Sequence, residues 1–164
     1  MLRSNLDLER RETVSEFPKS LEQVDLAQKI KVKVRFDYKG LPRPARFFIG
    51  GKGSKEVAEE LRQQQANVWR NVPMQGVRID DLELMELYSV YDEMEQSTIS
   101  YAPLELKVTV DTLEDCLRFV SKDEFRRMEI IEPVQLNLCG RELERLFFKF
   151  AEIQKQRLRE QELK

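Results

Sequence analysis

The sequence predicts an α+β fold: a two-layer sandwich in which an antiparallel or mixed sheet carries helices on one face. Some segments alternate apolar and polar residues with the period of a β-strand, and others carry apolar residues at helical spacing. These segments follow one another in the order β-β-α-β-β-α-β-α. Because strand–helix units that return to one sheet favour right-handed crossovers, a ferredoxin-like arrangement is expected.

The clearest strand begins at Ile30, where apolar residues alternate strictly with charged ones. One face of this strand is therefore expected to be buried and the other solvated. Turn residues follow at 39–44, and a second, shorter strand is expected over 45–49, which makes a hairpin. After the glycines of 50–53, Ser54 is predicted to cap the helix that follows.

Residues 80–95 contain seven acidic residues and no basic one, yet their apolar pattern predicts a strand. A polar loop over 92–100 and a strand over 104–110 would complete a second hairpin. Thr112 is predicted to cap a short helix. A further strand is expected over 128–138, with Pro133 placing a bulge or an exposed edge midway. The last helix is predicted from about Gly140 to the end.

The chain divides into three parts. Residues 1–28 are predicted to be a polar, partly ordered N-terminal arm. Residues 29–153 are predicted to form a single α+β domain, and residues 154–164 a charged extension of the last helix. At 164 residues the chain is long enough for one domain with its own core.

Composition excludes several classes of function. There is no histidine, which removes His-dependent triads and the common zinc motifs. No apolar run has the length of a membrane span, and the first residues lack the apolar region of a secretory signal. Cys116 and Cys139 lie in apolar segments and are expected to be buried and reduced, which favours a cytoplasmic location. We therefore expect a protein without catalytic residues, cofactor or metal.

The strongest functional signal is the stretch 29–55, which holds nine lysines or arginines and one acid, Asp37. It predicts a non-catalytic interaction module that binds a protein with an acidic surface or a second copy of itself. The last helix adds Phe148, which falls off the apolar stripe and indicates a contact or a dimer. The predicted partner-binding residues are Lys29, Lys31, Lys33, Arg35, Lys39, Arg43, Arg46 and Phe148.

Two other interpretations of the basic strand remain open. Alternate cations along a strand lie about 6.6 Å apart, a spacing close to that of nucleic-acid phosphates, so single-stranded RNA or DNA is an alternative partner. Against this, Phe36 and Tyr38 are expected to point inward, where they could not stack on bases. The cations could also be neutralised within the chain by the acidic segment 80–95.

A third alternative is a small phosphate ligand or nucleotide, bound or turned over at the glycine turn. The weak anion-binding candidates are Gly51, Lys52, Gly53 and Ser54, because backbone N–H groups at a helix N-terminus attract anions. The segment matches neither GxxxxGK[ST] nor GxGxxG, so a simple capped turn is favoured. The acids of 80–95 lack the spacing of a calcium loop and are better explained as a solvated face.

Overall fold

The computed structural model describes residues 29–42, 51–94 and 96–163. All strands in these residues belong to one antiparallel sheet with the order β2-β4-β1-β5, and β3 also pairs with β4. The predicted α+β sandwich is confirmed. Apart from β3, the elements follow the β-α-β-β-α-β order of a ferredoxin-like fold. The elements are β1 (Ile30–Gly40), α1 (Ser54–Asn71), β2 (Val77–Leu84), β3 (Tyr88–Asp92), β4 (Ser97–Val110), α2 (Leu113–Val120), β5 (Phe125–Glu132) and α3 (Gly140–Glu162).

Strand β1 lies at the centre of the sheet, with β4 on one side and β5 on the other. Its predicted alternation is confirmed, because Val32, Val34 and Phe36 are completely buried while Lys31 is exposed. The buried side chains of β1 lie opposite apolar residues of β4, with Val32 facing Val108 and Val34 facing Leu106. The apolar residues of these two strands together form the sheet side of the core.

Aromatic rings from three elements form the part of the core between the sheet and the helices. Phe36 of β1 stacks on Trp69 of α1 with 6.1 Å between ring centroids. Phe119 of α2 contacts both rings, at 5.6 Å from Phe36 and 5.0 Å from Trp69. Helices α1 and α2 therefore cover the same face of the sheet. Buried aromatic residues bring large apolar areas and preferred contact angles, so this cluster determines how both helices pack against the sheet.

The predicted acidic strand over 80–95 is interrupted, and Pro103 of β4 explains the interruption. A proline has no N–H to donate to a neighbouring strand. Strand β2 pairs with β4 up to Leu104, and β3 resumes the pairing at Tyr101. In the gap, the guanidinium of the buried Arg62 donates hydrogen bonds to the carbonyls of Met85 and Pro103 at 2.6 and 3.2 Å.

The start of α1 is tied to the end of β1. The Ser54 hydroxyl donates to the carbonyl of Gly40 at 2.7 Å and accepts from the N–H of Ser100 at 2.6 Å. Gly40 has to be a glycine here, because a Cβ would lie 1.9 Å from the Ser54 carbonyl oxygen. The residue at the N-cap is Gly53, so the prediction that Ser54 caps the helix is wrong.

Other predicted boundaries have mixed outcomes. Thr112 caps α2 as predicted, since its side chain accepts from the N–H of Asp115. The strand predicted over 128–138 begins and ends earlier, at Phe125 and Glu132, so Pro133 follows the strand and does not interrupt it. Cys116 is buried as expected, but Cys139 is exposed. The N-terminal arm and the strand over 45–49 lie outside the described residues.

Two buried polar groups meet within the core. The Tyr38 hydroxyl and the Trp69 indole N–H are both buried, and neither makes a hydrogen bond within the described residues. Burial raises the pKa of Tyr38 to about 12, although the nearby indole acts in the opposite direction. A buried hydroxyl without a partner loses its hydration and gains nothing in exchange.

We therefore expect Tyr38→Phe to raise the free energy of unfolding by about 1 kcal/mol at neutral pH. The variant should also lose less stability in alkali. Above pH 10 the unfolded chain releases the phenolic proton while the folded chain holds it to about pH 12, so wild-type stability falls across that interval. Denaturant unfolding at pH 7 and across the alkaline range measures both effects.

The matched comparison is with wild type at each pH, because burial also raises the pKa of Cys116 to about 11 and this thiol titrates in both proteins. A Tyr38→Phe variant that is less stable than wild type at pH 7 would show that the hydroxyl is satisfied.

Candidate interaction surfaces

The face of the sheet opposite α1 and α2 carries most of the predicted basic contacts, and we call it the open sheet face. Its centre is formed by Lys33 and Arg35 of β1, Glu105 of β4 and Arg127 of β5. No helix in the described residues packs on it. Strand alternation brings these side chains together, since each occupies the positions between the buried residues.

Glu105 joins three strands on the open sheet face. Its side chain is only 10% exposed and lies 3.1 Å from the Lys33 ammonium. The Arg127 guanidinium reaches its other oxygen at 3.4 Å. Because a nearly buried carboxylate needs compensating charge, these two cations balance the acid and are partly committed to it.

Asp37 forms a second such centre. Its side chain is 5% exposed and accepts hydrogen bonds from Arg35 and the Tyr88 hydroxyl, both at 2.7 Å. Arg126 approaches to 3.8 Å. The hydrogen bond to Asp37 raises the pKa of Arg35. Burial, and after it the hydrogen bond to Asp37, raise the pKa of Tyr88.

The outer cations of β1 are also met by acids of the same chain. Lys29 lies 3.5 Å from Asp111, and Lys31 lies 2.8 Å from Glu132. Lys39 is 3.9 Å from Asp92, and this ion pair joins β1 to the acidic segment 80–95. Acids of the same chain therefore neutralise these cations, but among the described residues most of those acids lie on β1, β4 and β5 or directly after β4.

The acidic segment has local partners of its own. Asp81 pairs with Lys107 at 3.2 Å. Asp80 lies 2.8 Å from Arg78 and also accepts from the Thr109 hydroxyl. Burial alone would raise the pKa of Asp80, but the hydrogen bonds from Thr109 and Arg78 outweigh it, and the pKa is lowered.

Several residues of the open sheet face were missed by the sequence interpretation. Tyr88 and Tyr101 stack with 5.2 Å between ring centroids, and the Arg35 guanidinium lies 5.8 Å from the Tyr88 centroid. Arg126 and Arg127 complete the cationic cluster. Only strand register brings them next to β1, so no local sequence signal could have placed them there. Of the predicted residues, Arg43 and Arg46 lie outside the described residues.

The glycine turn already holds a carboxylate of this chain. The N–H of Gly53 donates to the Glu56 side chain at 3.3 Å, and Lys52 pairs with Glu60. The Ser54 hydroxyl is engaged with Gly40 and Ser100. Glu56 therefore occupies part of the positive N-terminus of α1 to which an external phosphate would bind.

Helix α3 buries none of its residues completely. Its side toward α2 is half-buried and is held by ion pairs from Arg145 to Glu114 at 3.1 Å and from Arg157 to Asp123 at 3.4 Å. The neighbouring side stays apolar and exposed. It carries Leu143, Phe147 and Phe150 at helical spacing, exposed by 42%, 65% and 50%. Phe148, the predicted contact, lies on another side of α3 and is also exposed.

Strand β5 carries a second group of partly exposed apolar residues. Phe125, Met128 and Ile130 lie on the helix side of the sheet, opposite Phe36, Val34 and Val32, yet about two-fifths of each remains exposed. Because Arg157 contacts Asp123, which lies just before β5, the C-terminal half of α3 is next to the start of this strand. We call the apolar groups of these two neighbouring elements together the β5–α3 apolar surface: Phe125, Met128 and Ile130 of β5, and Leu143, Phe147 and Phe150 of α3.

Comparisons and searches add no functional assignment. No protein-family model and no curated protein matches the chain. Within the described residues, no cluster of three or more Cys, Asp or Glu side chains is arranged to hold a metal ion. None of the described helices combines the length and apolarity needed to cross a membrane.

The ion pairs of Glu105 predict a measurable cost of neutralisation. Glu105→Gln should lower the free energy of unfolding by about 1–3 kcal/mol, since Lys33 and Arg127 would lose their shared carboxylate. Chemical denaturation at neutral pH measures this. The matched control is Glu83→Gln, which lies directly opposite Glu105 across β2 and β4. Like charges in that position repel, so the control should be neutral or slightly stabilising. Equal losses in both variants would contradict the network.

Proposed function

We propose that this chain is a non-catalytic interaction module that binds a macromolecular partner, and that the principal contact is with a protein at the β5–α3 apolar surface. The observation that carries the proposal is the apolar side of α3, where Phe147 and Phe150 remain at least half exposed although the helix packs against α2. Grouped apolar side chains on a protein surface are typical of interaction sites.

The free energy available from burying these apolar side chains favours a protein partner. Complete burial of one large apolar side chain contributes about 1.5–3 kcal/mol relative to leaving it in water. Because Phe147 and Phe150 are 65% and 50% exposed, their burial would contribute about 2–3 kcal/mol together. Phe148, which is 69% exposed, lies on another side of the helix and is outside the proposed contact.

The open sheet face is proposed as a second contact. Lys31, Lys33 and Arg35 each have a carboxylate within ion-pair distance, so their net attraction for an acidic surface is reduced. The same pairing weakens the nucleic-acid alternative, because binding to a phosphate backbone depends on cations that are free to replace its counterions.

The proposal also includes the absence of catalytic activity and a cytoplasmic location. The carboxylates nearest to cations serve as ion-pair partners, and the glycine turn holds Glu56 where a phosphate ligand would be expected. The cytoplasmic setting is supported by the two free cysteines, Cys116 and Cys139, which are typical of reducing compartments.

The combined variant Phe147→Asp/Phe150→Asp tests the apolar contact. Both side chains are exposed, so thermal stability should change little, while a bound protein should be lost because two charges would enter an apolar interface. The measurement is affinity capture from the source cells on immobilised wild type and variant, with the retained proteins quantified side by side by mass spectrometry.

Phe148→Asp serves as the comparator on another side of the same helix. A protein retained by wild type and by Phe148→Asp, but not by the double variant, fits the proposal. A partner lost with Phe148→Asp and kept by the double variant would move the contact to the other side. Identical retained sets for all three proteins would overturn the proposed surface.

A salt titration separates the nucleic-acid alternative. We expect wild type to show no binding to a fluorescently labelled single-stranded RNA or DNA at low salt, because the β1 cations are paired within the chain. The measurement is fluorescence anisotropy over a range of salt concentrations. Binding whose logarithm falls steeply and linearly with the logarithm of salt concentration would contradict our proposal and favour the nucleic-acid alternative.

A further inference from the structure

The edge of the sheet beside the β5–α3 apolar surface points to a specific occupant. We propose that a second copy of this chain binds there, with the two β5 strands pairing antiparallel about a two-fold axis. This inference rests on the proposed function, since it names the partner of the same surface. The resulting interface is isologous: one patch contacts its own equivalent.

Strand β5 offers the backbone for such pairing. It stands at the end of the strand order β2-β4-β1-β5 in the described part of the chain. Antiparallel strands use alternate residues for the bonds to each neighbour, so the N–H and C=O groups that do not face β1 point outward. An edge of this kind is a template for another strand.

Charge favours a register centred on Met128 for the two copies of β5. Residues 127–130 pair with β1 without a bulge, so they form the regular part of the edge. Opposed residues must share a sheet face. A two-fold axis at Met128 meets this condition and places Arg127 of each copy opposite Glu129 of the other. An axis at Arg127 or at Glu129 would instead oppose like charges, which is destabilising.

Both charged side chains are available for this contact. The Arg127 side chain is 63% exposed despite its ion pair with Glu105. Glu129 is exposed and lies on the open sheet face opposite Lys33. Pairing about Met128 therefore forms two equivalent Arg–Glu contacts and joins the open sheet faces of the two copies.

The same register buries apolar surface on the helix side. Met128 of one copy would lie beside Met128 of the other. Phe125 and Ile130, which are 38% and 41% exposed, would be removed from water. The C-terminal half of α3 lies next to the start of β5, so this part of the helix would border the new interface. A paired strand with an apolar layer on one side has the composition of a stable homodimer interface, which is more hydrophobic than a transient one.

Two charge reversals and their mixture test the pairing. In the Arg127→Glu variant, two glutamates face each other in each contact beside the axis, and in Glu129→Arg two arginines do. The dissociation constant of each variant alone should therefore be about tenfold or more above that of wild type. An equimolar mixture should restore the dimer, since every acid of one variant then meets a base of the other. Sedimentation velocity over a concentration series measures association, and Glu59→Arg, an exposed reversal on α1, is the control that should remain dimeric.

Mixing also separates the interface from folding, because a variant that is merely destabilised is not rescued by another destabilised variant. A wild-type chain that stays monomeric at all concentrations, or single reversals that leave the dimer unchanged, would overturn the proposal. A monomer in which residues 1–28 can be cross-linked to α3 would also overturn the proposal, because the chain's own N-terminal arm would then cover the surface. If wild type is monomeric but Phe147→Asp/Phe150→Asp still loses a protein partner, the self-pairing fails and the proposed function stands.

Discussion

The two-faced character of β1 is the constraint on which the rest of the structure depends. Val32, Val34 and Phe36 are completely buried beneath α1 and α2, so the residues between them must point to the opposite face. Because β1 is central, this face is flanked by β4 and β5, whose own side chains surround its cations. The arrangement of charges on the open sheet face therefore follows from the position of one strand in the sheet.

The open sheet face and the β5–α3 apolar surface differ in how far residues of the same chain pair their charges or bury their apolar side chains. On the open sheet face, Glu105 and Asp37 are nearly buried and each has at least two cations near it. On the apolar surface, Phe147 and Phe150 have nothing in the described residues to cover them fully. An exposed apolar side chain gains free energy from a partner, whereas a paired charge must first give up its present contact. This difference places the main proposed contact on the apolar surface.

Much of the fold could be predicted because its signals are local. The alternation in β1, the Thr112 cap and the start of α3 at Gly140 depend on residues close in sequence, and all three are confirmed. The interruption between β2 and β3 was missed because it is caused by Pro103, a residue on a different strand. The exposure of Cys139 was missed because an apolar segment does not reveal whether another element covers it.

The sequence by itself determined the α+β class, the buried and charged faces of β1, and the amphipathic character of α3, because each depends on periodicity along one segment. Only the tertiary structure decided which acids meet the β1 cations. Lys33 and Glu105 are far apart in the chain and become neighbours through the pairing of β1 with β4. It also decided that α2 covers only one side of the α3 stripe. Strand register and helix packing set these contacts, and neither is written in the pattern of a single segment.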